Sequence, residues 1–278
     1  MRAGLILAGL LVLLSCGVAT AQTPTKTTPY PGPARIIGTD GAGCIAGAVR
    51  LPDAAPGMQT IRQSRSTFWG HPDVIAALQD LAKRAQAAGL PDLYMNDISL
   101  PRGGPLQGIH ASHQRGVDAD VWLDVAGPHP VLPVAERDTI EPHTLVRPDG
   151  RGVDAAYWRK EHITLIRLAA TEPGIDRVLV NPAIKQQLCQ EVSGDRSWLR
   201  RVRPWYGHAT HMHLHFKCPA GQSECVDQAP PPPGDGCDDT LAWWFQQLDK
   251  PAPKPTSPPP KPKPVILPAA CQAIMAAP

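Results

Sequence analysis

Several features that would direct a function are missing from this 278-residue sequence. Strong charge imbalance is one: 27 Lys and Arg against 25 Asp and Glu leave a formal net charge of +2 at pH 7. A nucleic-acid partner calls for a basic footprint, so no nucleic acid is expected. No Cys-x-x-Cys pair occurs, which argues against a zinc knuckle. The one sustained apolar run, residues 5–14, is too short for a membrane span, and no other stretch comes closer. Internal repeats are not visible. A regular strand–helix–strand alternation is also missing, which points away from a parallel doubly wound sheet and toward α+β.

Proline is abundant by contrast, at 33 residues, and much of it lies near the two ends. Arg2, the apolar run and the small-x-small site Ala19-Thr20-Ala21 have the layout of a secretory signal peptide. The expected organisation is therefore a signal peptide at 1–21, an extended lead-in at 22–35, one domain at 36–248 and a proline-rich C-terminal strap at 249–278. Export leaves Cys44, Cys189, Cys218, Cys225, Cys237 and Cys271 in an oxidising compartment, where an even set reads as three disulfides. Their spacing does not choose a pairing.

Within the domain, Val74, Ile75, Leu78, Leu81 and Ala85 recur at helical spacing over residues 73–88, with Pro72 near the start and Gly89 at the stop. A second helix is expected from Trp158 to about Ala169, and a short third from Asn181 or Pro182, carrying Cys189. Residues 93–98, 117–125, 177–180 and 211–216 read as strands. The fold class is a single α+β domain with a mostly antiparallel central sheet flanked by helices.

Six of the ten histidines fall in two short segments, His110-Ala-Ser-His113-Gln-Arg-Gly-Val-Asp118-Ala-Asp120 and His208-Ala-Thr-His211-Met-His213-Leu-His215. Strand side chains alternate between faces. His211, His213 and His215 therefore share one face, and Met212, Leu214 and Phe216 the other. Asp118, Asp120, Trp122 and Asp124 likewise oppose Val117, Ala119, Val121 and Leu123. If the two strands are neighbours, Asp120 and His213 meet on one face, and His113 reaches in from the preceding loop, with Gly116 allowing the turn. Imidazole nitrogen and carboxylate oxygen suit zinc, and three protein ligands with a position left open to water describe a catalytic site. His215 reads as a polar surface residue. Asp118 and Asp124 read as rim groups or as partners of the ligands. His71, His129, His143 and His162 read as structural or solvent-facing. Alternation does not decide which of His211 and His213 is the ligand.

His-x6-Asp followed by a distal His-x-His resembles the signature of the LAS metallopeptidases. The segments GIHASHQRGVDADVWL, NPAIKQQLC, DRSWLRRVRPWYGHATHMHLHFKCP and PPPGDGC resemble, more narrowly, the penicillin-insensitive murein endopeptidases, over about residues 44–271. The resemblance implies an LAS metallopeptidase-like fold, a periplasmic address and peptidoglycan as the partner. The implied reaction is hydrolysis of D-alanyl–meso-diaminopimelyl cross-links, insensitive to β-lactams because no serine is acylated. Within the same reading, a D-Ala-D-Ala carboxypeptidase and a non-catalytic metal-containing peptidoglycan-binding protein are the rivals.

Carried over by position, the resemblance makes His113, Asp120 and His213 the zinc ligands, His211 the general base and His208 its support, with His110 a less certain metal ligand. It also implies the pairs Cys44–Cys271, Cys189–Cys237 and Cys218–Cys225. One departure stands out. Asp149 matches a residue assigned in the family to a second metal, but Gly152 stands where the accompanying histidine is expected. One catalytic zinc ion is therefore expected. Arg200, Arg201, Arg203, Trp198, Trp205 and Tyr206 precede the histidine strand, either as groove residues or as surface charge and core aromatics.

Overall fold

The computed structural model describes residues 26–106, 108–250 and 264–278. The segment expected as a signal peptide and the proline run at 251–263 lie outside the described residues. Strands β1 (Arg35–Thr39) and β2 (Ala42–Ala46) form an antiparallel hairpin. Two short strands, β3 (Val49–Arg50) and β6 (Trp69–Gly70), pair beside it. The remaining seven build the central sheet: β4 (Ala54–Ala55), β5 (Met58–Thr60), β7 (Leu93–Asn96), β8 (Asp118–Trp122), β9 (Ile175–Val180), β10 (Val202–Pro204) and β11 (His211–Phe216). Their order is β10-β9-β11-β8-β7-β5-β4, with parallel pairing at β10–β9 and β5–β7 and antiparallel pairing elsewhere. The fold is thus α+β with a mostly antiparallel sheet.

Several helices begin where a side chain caps the first turn. α1 (Pro72–Ala87) has proline at its first position, and the His71 ring accepts the Asp73 N–H at 3.2 Å. α2 is the short turn Val134–Arg137. α3 (Lys160–Ala170) starts two residues later than Trp158, because the His162 ring folds back to accept the Arg159 N–H at 2.9 Å and caps the helix there. Trp158 stays outside and stacks on His162. α4 (Pro182–Glu191) is capped by Asn181. Besides α2, two longer helices have no counterpart in the sequence expectations, α5 (Asp239–Leu248) and α6 (Ala269–Ala276).

Val117, Ala119, Val121, Met212, Leu214 and Phe216 join Leu78 and Leu81 of α1 and Leu165 and Ile166 of α3 in one buried cluster. Each of the larger side chains contributes about 1.5–3 kcal/mol of burial. A one-residue slip of β11 would place His213 in that cluster and Leu214 in the cleft, so burial fixes the register. The opposite sheet face is left to the polar residues. No helix among the described residues is long and apolar enough to cross a membrane.

The pairs Cys44–Cys271, Cys189–Cys237 and Cys218–Cys225 are all formed. The first ties α6 to β2, where Cys271 and Ile274 join a second small core with Ile37 and Ala46. Arg102 donates to the carbonyls of Ile274, Ala277 and Pro278 at 2.9, 2.8 and 2.8 Å, satisfying the open end of that helix. The region expected as a proline-rich strap thus ends in a helix bridged to the body. Cys271→Ser is expected to lower the unfolding free energy by about 2–4 kcal/mol, measured by urea denaturation. An unchanged midpoint would show that this bridge adds nothing to stability.

Candidate metal centre

β8 and β11 are antiparallel neighbours, and His213 lies directly opposite Asp120. Alternation sends both side chains to the polar face of the sheet. His113 arrives from the loop before β8 with φ 62°, a left-handed conformation that costs a non-glycine residue about 1–3 kcal/mol. Its N–H donates to Asp118 Oδ2 at 3.2 Å, which helps to hold it there. Gly116 completes the turn at φ 72°, where a Cβ would stand 2.9 Å from Gly70 Cα and from Ile45 Cδ1. Only glycine fits that approach.

Hydrogen bonds then set the tautomers. His113 donates Nδ1–H to the Ile98 carbonyl at 3.1 Å, leaving Nε2 with a free lone pair. His213 donates Nε2–H to Asp118 Oδ1 at 3.1 Å, leaving Nδ1 free. The two free nitrogens face each other at 2.9 Å, and Asp120 Oδ1 lies 3.4 Å from one and 3.2 Å from the other. Three lone-pair donors thus converge in a buried space, His113, Asp120 and His213 being 0, 1 and 5% exposed. Such an arrangement repels itself unless a cation enters. Around zinc with bonds of about 2.0–2.1 Å, tetrahedral ligands stand about 3.3 Å apart; the two distances to Asp120 match this, and the imidazole pair at 2.9 Å is closer. Asp120 Oδ2 is buried without a hydrogen-bond partner, a further sign that the carboxylate is built for a cation. Burial alone would lower the His213 pKa, but the hydrogen bonds it donates to the Asp118 and Asp120 carboxylates outweigh that and raise the pKa to about 10. In the metal-free chain that proton occupies the position an incoming cation must take.

Metal-capable side chains fall into two adjoining groups, His110–His113–Asp120 and Asp118–His213–His215. The expected trio draws one histidine from each. The second group contains residues that sequence reasoning valued too little. Asp118 is fully buried and accepts from the His113 N–H, His213 Nε2 and His215 Nδ1, the last at 2.8 Å. Burial pushes its pKa up, but the bonds from His213 and His215 prevail and hold it well below the ordinary carboxylate value. It is a partner of the ligands rather than a rim group. Asp124 pairs with His129 instead. The expectation of a surface role for His215 is corrected: it is 2% exposed and bridges Asp118 toward Asp40, which in turn pairs with the buried Arg115. The alternation rule gave its direction correctly, but neighbouring loops cover that end of the strand.

His110 stacks on His113 with ring centroids 4.1 Å apart, and its Nε2 donates to Asp97 at 2.7 Å while standing 3.6 Å from Asp120 Oδ2. Asp97 also takes Thr67 and Arg65, at 2.6 and 2.5 Å. Sequence reasoning missed Asp97, because nothing in the residues after β7 shows that β7 pairs with β8. His211 Nε2 lies 3.7 Å from Asp120 Oδ2. Burial lowers its pKa, so at neutral pH the ring is uncharged. His208, 5.1 Å from His211 between centroids, is lowered to about 4 by burial and by repulsion from His213 and His211.

Asp149 lies outside both metal-capable groups, in an exposed turn where it accepts the Arg151 N–H at 2.9 Å. A Cβ at Gly152 would stand 3.0 Å from the Arg147 guanidinium, which packs against that glycine. His71 and His162 cap helices, and His129 donates Nδ1–H to the Asp92 carbonyl at 2.7 Å while stacking on Tyr94. Above the centre opens a cleft of about 650 Å³, lined in part by His110, His208, His213, Arg177, Arg203 and Trp205. Among the arginines and aromatics before β11, Arg203 and Trp205 reach the cleft. Trp198 is core, and Arg200 and Arg201 bind the carbonyls of Pro231 and Ala170.

Paired imidazoles and a carboxylate below an open cleft, with uncharged histidines beside them, define a metallopeptidase-type centre. The chain belongs to the penicillin-insensitive murein endopeptidase family, whose profile matches residues 36–276. It is 43% identical over 271 residues to a penicillin-insensitive murein endopeptidase of Klebsiella pneumoniae subsp. pneumoniae, covering 96% of each chain. A protein of the same name from Escherichia coli O1:K1 is 41% identical over the same length and share.

Asp118→Asn keeps the size of the side chain but removes the charge that orients both histidines. Metal affinity is expected to fall about 10- to 100-fold, measured by competition with a chromogenic chelator. Equal affinity in the variant would show that Asp118 does not position the ligands.

Proposed function

We propose that this chain is a zinc-dependent murein endopeptidase that hydrolyses D-alanyl–meso-diaminopimelyl cross-links of peptidoglycan in the periplasm. The observation that carries the reading is the convergence of His113 Nε2, His213 Nδ1 and Asp120 Oδ1 on one buried point. Membership in the family and the names of the relatives support the substrate. The signal-peptide pattern at 1–21 supports the address.

His113, Asp120 and His213 would hold the metal. When bound, zinc polarises the scissile carbonyl and lowers the pKa of a coordinated water. The chain's own groups supply the rest. His211, uncharged at neutral pH and standing over Asp120, takes the proton of the attacking water and returns it to the departing amine. His208 packs beside His211, with ring centroids 5.1 Å apart. The Tyr206 carbonyl holds His208 Nδ1 at 3.0 Å. Arg177 and Arg203 line the cleft where they can face the carboxylates of diaminopimelate. Asp97 keeps His110 against the ligand His113. Asp149 is given no metal, and one zinc ion per chain serves this mechanism.

Digestion of purified cross-linked peptidoglycan is expected to convert dimeric muropeptides to monomers, and a chelator is expected to stop it. Release of terminal D-alanine alone would replace the reading with a carboxypeptidase. His211→Ala is expected to retain zinc and lose about 10²–10⁴-fold in turnover, whereas His213→Ala is expected to lose zinc itself. An empty site in His211→Ala, read by atomic absorption, would overturn this division of roles. Two fully occupied ions in anomalous scattering at the zinc edge would overturn the single-metal assignment.

A further inference from the structure

At one end of the cleft the aromatic residues gather in a way that neither packing nor the hydrolytic centre uses. Trp205 and Trp244 both line the cleft, with ring centroids 5.8 Å apart. Tyr206 stands edge-on to Trp244 at 4.9 Å, and Trp243 at 5.2 Å. Trp205, Trp243 and Tyr206 remain 55, 51 and 39% exposed. Single exposed hydrophobic residues are ordinary, but a contiguous aromatic patch opening onto a cleft marks a binding surface.

α5, which carries two of these rings, is held without covering them. The Cys189–Cys237 bridge fixes the chain just before it, Asp238 caps it, and Leu241 is its buried residue. The Tyr206 hydroxyl donates to the Trp244 carbonyl, and Arg151 pairs with Asp249 just past the end of the helix. These tethers present the outer aromatic face to solvent rather than sealing it against the body.

We propose that Trp205, Trp243, Trp244 and Tyr206 form a stacking platform for the glycan strand of peptidoglycan. The proposal rests on the reading of the chain as a murein endopeptidase. Its occupant follows from continuity: the platform adjoins the cleft that takes the cross-linking peptide, and in this polymer the peptide stem is attached to an amino-sugar chain. Pyranose rings present a face of C–H groups that carry slight positive charge, which suits the negative face of an indole. Their hydroxyls and acetamides stay in water, so a half-exposed ring fits them better than an enclosed pocket would. Tyr206 has committed its hydroxyl within the protein, and the platform offers ring faces rather than the paired donors and acceptors that a peptide backbone requires. The polymer is thereby held along its sugar chain while its peptide enters the metal centre.

The test uses the full, zinc-loaded chain and two substrates: polymeric cross-linked peptidoglycan, and the same cross-linked peptide dimer freed of sugars. Trp243 is outside the cleft lining and half-exposed, so Trp243→Ala probes the platform alone. The ratio of kcat/KM on the polymer to kcat/KM on the sugar-free dimer is expected to fall about tenfold, and binding of peptide-free glycan strands by a similar factor. Trp243→Phe, which retains a ring, is expected to keep most of both. An unchanged ratio together with unchanged glycan binding overturns the platform, as does an equal loss on both substrates. If the unaltered chain cleaves neither substrate, the endopeptidase reading fails instead, and glycan binding in the Trp243 variants still decides the platform.

Discussion

Everything at this site depends on a repulsion that the fold refuses to relieve. Two imidazole lone pairs are held 2.9 Å apart beside a buried carboxylate oxygen. Their other ring nitrogens are committed elsewhere, to Ile98 and Asp118, so neither ring can turn away. A cation is the remaining means of compensation: a proton in the metal-free chain, or a metal ion under the proposed function. The strained backbone at His113 belongs to the same arrangement, because relaxing it would withdraw one donor.

The apparatus that enforces the repulsion extends well beyond the ligands. Asp118 touches both metal-capable segments, one through a backbone N–H and one through an imidazole. His215 and Asp40 connect it to Arg115, whose guanidinium also reaches the carbonyls of Gly38 and Val226 beside the Cys218–Cys225 bridge. Asp97 performs the corresponding task for His110 on the other flank. Buried charges of this kind are expensive alone, and each is paired here. Sheet pairing supplies the geometry, hydrophobic burial of Leu214 and Val121 fixes the register, and the polar chain holds the rings.

Separate parts of the cleft divide the work of recognition. The centre carries fixed, buried and coupled groups, where small displacements matter. The rim carries half-exposed rings and arginines, which tolerate a broad and solvated polymer. Under the proposed function, a substrate that is both a peptide and a glycan would meet both surfaces. Disulfides fix the segments that form the rim, since Cys237 immediately precedes α5 and Cys218 immediately follows the short segment after β11.

The sequence by itself determined the polar face. Period-2 alternation in residues 211–216 and 117–125 separates histidines and aspartates from core residues without any tertiary information. The spacing of His113 and Asp120 and the capping signals at Pro72 and Asn181 were equally legible, because their causes are local. The resemblance carried the ligand roles and the cysteine pairs, which spacing could not. Helices α5 and α6 escaped notice, since proline-rich flanks mask their short patterns and their anchoring comes from distant bridges. Only the tertiary structure placed Asp97 beside His110, buried His215, and made Asp118 the common partner of both ligand segments. Those assignments depend on which strands become neighbours and which loops close over them, and long-range burial decides that rather than any local spacing.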